Sequence, residues 1–216
     1  LMEGNRLKQS DGERDLGVII SSSGKPSEQC LAAAKKASRM LGLIKRNFRS
    51  RSKDVVVRLY KTLVRPRLEY CVQSWCPYLQ KDIAVLEKVQ RRATKMILAC
   101  RTDSYEDRLK YTELTSLECR RRRGDMIEVF KLLNGVEQID YNILIQRAEK
   151  TGRRGHSYKL VKHRARLDLR KFYFSNRVVN TWNSLPESVV VAGTVNSFKA
   201  RLDAYIRAKG SGWFVR

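Results

Sequence analysis

LYKTLVRPRLEYCVQSWCPY, residues 59–78, followed after a short gap by LEKVQRRATKMI, residues 86–97, is the stretch that decides the fold. Val56, Leu59, Tyr60 and Leu63 recur at helical spacing, so a helix opening near Ser52-Lys53-Asp54 runs into this stretch. Pro66 has no amide hydrogen and is expected to kink or end that helix. Beyond the Tyr/Trp-bearing segment, Leu79, Ile83, Leu86, Ala93 and Ile97 alternate at spacings of three and four. They predict a second helix over residues 79–98, with Gln90 interrupting its apolar stripe. Its other face carries Lys88, Arg91, Arg92 and Lys95.

The same reading extends outward in both directions. Residues 10–23 read as turn, strand, turn: Asp11-Gly12 is a tight-turn signal and residues 16–20 are a short apolar run. Pro26-Ser27 opens a helix that runs to about Phe48, with Ser27 as its cap. Leu31, Ala34, Met40, Leu41 and Ile44 are its expected apolar face. Downstream, residues 116–134 form a helix on Leu117, Ile127, Phe130 and Leu133, which Asn134-Gly135 ends. Strand-like pieces near Tyr158 suggest a small hairpin. Residues 171–184, with Phe174, Val178 and Trp182, form a helix stopped at Leu185-Pro186. Residues 194–209, with Val195, Phe198, Leu202 and Tyr205, form the last one. The fold class is therefore mainly α: a helical bundle with a short N-terminal β element and a small helical C-terminal region with room for a β-hairpin. A loose boundary near residues 138–155 sets off a basic C-terminal part, 138–216.

Charge narrows the function. Lys and Arg number 45 against 22 Asp and Glu, a net charge of +23 over 216 residues. An excess of this size favours a polyanionic partner, and nucleic acid comes first because its neutralisation releases condensed counterions. An acidic membrane surface is the weaker alternative, since no apolar stretch is long enough for a span. At 42% apolar residues the chain has the means to build a core and is not a disordered basic tail. Residues 35–67 hold twelve basic residues against one acid, Asp54. Lys35, Lys36, Arg39, Lys45, Arg46, Arg49 and Arg51 lack the acidic neighbours that would pair them along a helix. They are the leading phosphate-contact candidates, joined by Arg91 and Arg92. A charge run of this kind is often only a solvated face. Arg153 and Arg154, in the TGRRG loop, lead a second patch with Lys159, Lys162, Arg164 and Arg166. His156 and Tyr158 within it are candidates to stack on bases, although packing is the commoner role for such a Tyr. The block Arg120–Arg123 must wrap more than one helix face; solubility is its default reading.

Catalytic signals are sparse. Two-metal polymer synthesis needs paired carboxylates, and the one adjacent pair, Glu106-Asp107, looks like the first turn of a solvated helix. Cys71 and Cys76 are five apart, Cys30, Cys100 and Cys119 are scattered, and His156 and His163 are seven apart. Neither the Cys nor the His spacing suits structural zinc, so reduced, buried thiols are expected, in a nuclear or cytoplasmic rather than secreted setting. The polar first fifteen residues hold no apolar signal-peptide core, and the leading Leu1, not Met, hints at a fragment.

The run through residues 59–97 resembles the region just downstream of the polymerase palm in reverse transcriptases of non-LTR (LINE-type) retrotransposons, especially the jockey-like and chicken-repeat-like groups. Asp15-Leu16-Gly17-Val18 resembles the strand at the palm exit of that family. Leu117 to Asn134, Asn183-Ser184-Leu185-Pro186 and Asn196-Ser197-Phe198-Lys199 resemble its C-terminal region. The resemblance implies a palm-exit remnant at 1–24, a thumb-like helical region at 25–137, and a function as the thumb and following part of an RNA-directed DNA polymerase. Such a thumb grips template-primer nucleic acid through its backbone. Nothing matches the fingers, palm aspartates or endonuclease, so the piece is expected to be catalytically silent alone, without a cofactor of its own; magnesium would belong to the parent polymerase. The same residues also fit a non-enzymatic remnant co-opted from such an element to serve RNA, chromatin or another protein, or a remnant with no selected role.

Overall fold

A computed structural model describes residues 10–100, 102–148 and 155–210. It is mainly helical, with one two-stranded antiparallel sheet near the N-terminus. The chain divides into two compact units, Leu1–Leu117 and Glu118–Arg216.

The first unit opens with β1 (Gly12–Asp15) paired to β2 (Val18–Ser21), Asp15 opposite Val18. The tight turn is Leu16-Gly17, not Asp11-Gly12, and one expected strand is two. Leu16 and Gly17 have φ of 44° and 86°, the positive pair that a two-residue type I′ hairpin demands. Leucine is an uncommon choice there, which hides the turn from a reading by residue type. Val18 enters the core, and the Ile19 amide donates to Gln29 Oε1 at 3.0 Å, so the hairpin is tied to the helix that follows.

That helix, α1 (Ser27–Asn47), buries Cys30, Ala33, Ala34, Ala37, Leu41 and Ile44. Leu31 stays 48% exposed, one position off the stripe, because the buried face is built from small residues that let a neighbouring helix approach closely. The neighbour is α5 (Gln80–Thr94). Ser27 makes no side-chain cap; its hydroxyl donates instead to Asp82 Oδ2 of α5 at 2.7 Å. Pro66 does not end its helix. The chain runs as α2 (Lys53–Leu59), a π-helical turn (Tyr60–Val64) and α3 (Arg65–Glu69). The Arg65 amide reaches Tyr60 O, and the extra residue in the turn lets the proline ring clear the preceding carbonyls. The Arg67 guanidinium donates to Leu63 O in the same stretch.

α4 (Val72–Trp75), α6 (Tyr105–Thr112) and a 3-10 turn (Leu98–Cys100) complete the unit. Gln90, the break in the α5 stripe, is fully buried and is a node. It accepts from the Tyr60 hydroxyl at 2.6 Å and donates to the Tyr105 hydroxyl at 2.9 Å and to Thr115 O at 3.0 Å. Glu87, also buried, takes the Tyr105 hydroxyl and the Leu117 amide, so one carboxylate caps the next helix. Burial pushes both tyrosine hydroxyls far above their ordinary range, which keeps them neutral donors.

The second unit is built from α7 (Leu117–Leu133), α8 (Asp168–Lys171), α9 (Phe174–Asn183), α10 (Glu187–Val190) and α11 (Val195–Lys209). The division falls at the start of α7, upstream of the expected boundary near residues 138–155, because Cys119, Met126, Ile127 and Phe130 belong to the second core. Phe130 stacks on Phe198 at 4.3 Å around a fully buried Trp182. The expected hairpin near Tyr158 shrinks to one antiparallel bridge, Arg147 with Leu160. A second strand is not needed there: the Asn183 side chain takes both backbone groups of Leu160 at 2.9 Å each.

His156 is 3% exposed. Its Nε2–H donates to Trp182 O at 2.9 Å, and its Nδ1 accepts the Tyr158 amide at 3.2 Å. Acceptance at Nδ1 requires the neutral ring, and burial lowers its pKa against the smaller opposing pull of the bond to Trp182 O. The unfolded chain takes up this proton at about pH 6.5, the folded chain only lower, so the unfolded state binds more protons between the two values. The contribution is complete above about pH 6.5 and is lost as pH falls through the folded value. The melting temperature of the wild type should therefore drop more steeply below about pH 6.5 than that of His156→Gln, as thermal melts across pH will read.

Candidate nucleic-acid interface

On α1, Lys35, Arg39, Gly42 and Arg46 are spaced four, three and four apart, so they share the face opposite the alanine stripe. All are exposed, with Lys36 and Lys45 on the flanks. Lys45 and Arg46 close α1, and Arg91 and Arg92 close α5, where cations favour the helix dipole. Dipole complementarity alone accounts for a cation at each helix end. The arrangement goes further than that.

Between the C-terminal ends of α1 and α5 lies a cleft of about 490 Å³. Lys45, Arg51, Arg92 and Lys95 supply its charge, and among the described residues no carboxylate lines it. Leu41, Met96 and Leu98 form its apolar lining, and Gly42 opens the α1 side. Arg51 is fixed there by the backbone: it donates to Phe48 O and, at 2.6 Å, to Lys45 O. It thereby caps the last carbonyls of α1, whose partial negative charge would otherwise oppose an anion. Among the described residues, Lys45, Arg92 and Lys95 make no ion pair. Four cations around one recess, none of them in an ion pair among the described residues, form a site where an anion of matching shape gains several charge-assisted hydrogen bonds.

The residues singled out by sequence divide in their placement. Lys45, Arg51 and Arg92 come together at the cleft. Lys35, Lys36, Arg39, Arg46 and Arg49 are exposed on α1 and just beyond it, outside the cleft lining. Arg91 packs its guanidinium 4.0 Å from the Tyr105 ring centroid. Arg153 and Arg154 lie outside the described residues. His156 cannot stack on a base, being buried, and Tyr158 is half-buried under the Arg147 guanidinium at 4.4 Å. In the Arg120–Arg123 block, Arg121 is buried, Arg122 pairs with Glu118 at 3.3 Å, and Arg123 pairs with Asp203 at 2.5 Å. Most of that block serves the fold. Lys95 and Gly42 complete the cleft; the signal for Lys95 was its place on the basic face with Lys88 and Arg92.

The Glu106-Asp107 pair opens α6, where the Ser104 hydroxyl accepts the Asp107 amide at 3.2 Å, a helix cap. The expected burial of the thiols holds for Cys30, Cys100 and Cys119 but not for Cys71, which is exposed, or Cys76, which is half-buried; burial raises the Cys100 and Cys119 thiols, which makes them poor nucleophiles. Among the described residues no cluster of three or more His, Cys, Asp and Glu stands ready to hold a metal, and no helix is long and apolar enough to cross a membrane. No protein-family model, curated protein or solved structure matches the chain.

Proposed function

We propose that this chain binds nucleic acid through the phosphate backbone, with the α1–α5 cleft and the exposed α1 face as the contact surface. The carrying observation is the cleft itself: Lys45, Arg51, Arg92 and Lys95 converge on one recess that, among the described residues, no carboxylate lines. The net charge of +23 supplies the long-range attraction, and the cleft supplies the place. The resemblance of residues 15–18, 59–97 and 183–199 to LINE-type reverse transcriptases gives this surface a role, the thumb beside the template-primer. On that reading the chain grips and does not polymerise. A thumb contacts phosphates, which carry little sequence information.

Fluorescence anisotropy against RNA and DNA of several unrelated sequences tests this. Affinities should agree within about threefold across sequences, and the plot of log affinity against log salt should fall with a slope corresponding to several contacts at about 0.7–0.9 each. A flat slope, or discrimination between sequences that survives high salt, contradicts backbone recognition.

A further inference from the structure

The cleft is more than a charged surface. Contacts to the phosphate backbone use the cations of the cleft and leave its apolar lining without a role. Here the charge surrounds a lining of Leu41, Met96 and the 67%-exposed Leu98, in a volume within the range of roughly 300–1,000 Å³ that small ligands occupy. A ligand that satisfies both parts carries a negative charge and an apolar body. A single nucleotide taken out of its stack does, with its phosphate on the cations and its base against aliphatic side chains.

Gly42 is the second observation. It stands inside α1, a helix of 21 residues, at an exposed position, where glycine costs about 0.5–1 kcal/mol relative to alanine. Its backbone is not in the left-handed region, so no conformation requires it. A Cβ there would meet no atom within 4 Å. Protein packing does not require it either. Gly42 lines the cleft with backbone alone and leaves open space where a side chain would stand.

We propose that the cleft holds one unpaired nucleotide of a single strand, the phosphate between Lys45, Arg92 and Lys95 and the base over Leu41, Met96 and Leu98 beside Gly42. This rests on the nucleic-acid reading above and adds a preference for a base that is free of its partner.

Gly42→Leu tests it, since the new side chain projects into open space and raises helix propensity. Three fluorescent probes are compared by anisotropy: a single-stranded RNA, a strand of equal length and charge with its bases removed, and a duplex. The wild type should bind the intact strand about fivefold or more tightly than the abasic one, the lower end of what one sheltered base contributes. Gly42→Leu should abolish that difference, leave duplex and abasic binding within about twofold, and melt no lower than the wild type. Equal loss on all three probes would show that the leucine blocks a charged surface, which overturns the nucleotide pocket and leaves backbone binding standing. No binding of any probe by the wild type overturns both. Binding to phosphatidylserine vesicles that Gly42→Leu abolishes would assign the cleft to a lipid headgroup and overturn the proposal.

Discussion

Replacing Lys45, Arg92 and Lys95 together with Gln is expected to weaken nucleic-acid binding roughly a hundredfold at low salt and to lower the salt slope by about two to three. These three cations line the cleft and make no ion pair among the described residues, so their removal costs the fold only the charge at two helix ends, about 0.3–1 kcal/mol each for Lys45 and Arg92. Gln is a good helix former, and the circular dichroism spectrum should not change. Arg51 is left in place because its guanidinium holds the carbonyls of Lys45 and Phe48; a variant there would confound binding with the end of α1.

The largest expected effect on stability lies in the second unit. Arg177 meets Asp125 through two bonds of 2.9 Å each, and the two side chains are 13% and 7% exposed. Asp125→Ala leaves the guanidinium buried without its charge partner, which costs about 3–5 kcal/mol. Chemical denaturation should show that loss. Joining Asp125→Leu to Arg177→Met should recover most of it, because removing both charges also removes their desolvation cost. A loss below about 1 kcal/mol in the single variant would mean that solvent reaches the pair and screens it.

Periodicity made the helices legible, and each exception has a local cause. The helices over α5, α7, α9 and α11 follow stripes of large apolar residues, which is the strongest signal a chain carries. On α1 the buried stripe runs through alanines, so Leu31 drew attention to the wrong line. Pro66 signals a break only in an α-helix, and the π-helical turn before it removes the clash. Leu16 sits where asparagine or glycine normally marks a hairpin. Gln90 looked like an interruption and is the hydrogen-bonded centre of the first unit.

The site was legible in part for a different reason. Charge density selected α1 and the end of α5 separately, and Lys45, Arg51 and Arg92 were among the residues selected. Which cations share a recess depends on how α1 packs on α5, helices more than thirty positions apart in sequence. Spacing within one helix cannot report that: it places Lys95 on the basic face of α5 but not in the recess, and Gly42 emerges only once the two helices stand together.

The most direct test of the central claim, that binding has a place and not only a charge, holds the charge constant. Lys199, Arg207 and Lys209 on α11 belong to the second unit. Changing these three to Gln lowers the net charge from +23 by three, as the cleft variant does. Salt titrations of the wild type and both variants on one duplex should show the α11 variant within about threefold of the wild type with its slope nearly kept, and the cleft variant far below both. Equal losses in the two variants would mean that binding follows total charge, and would contradict a nucleic-acid site between α1 and α5.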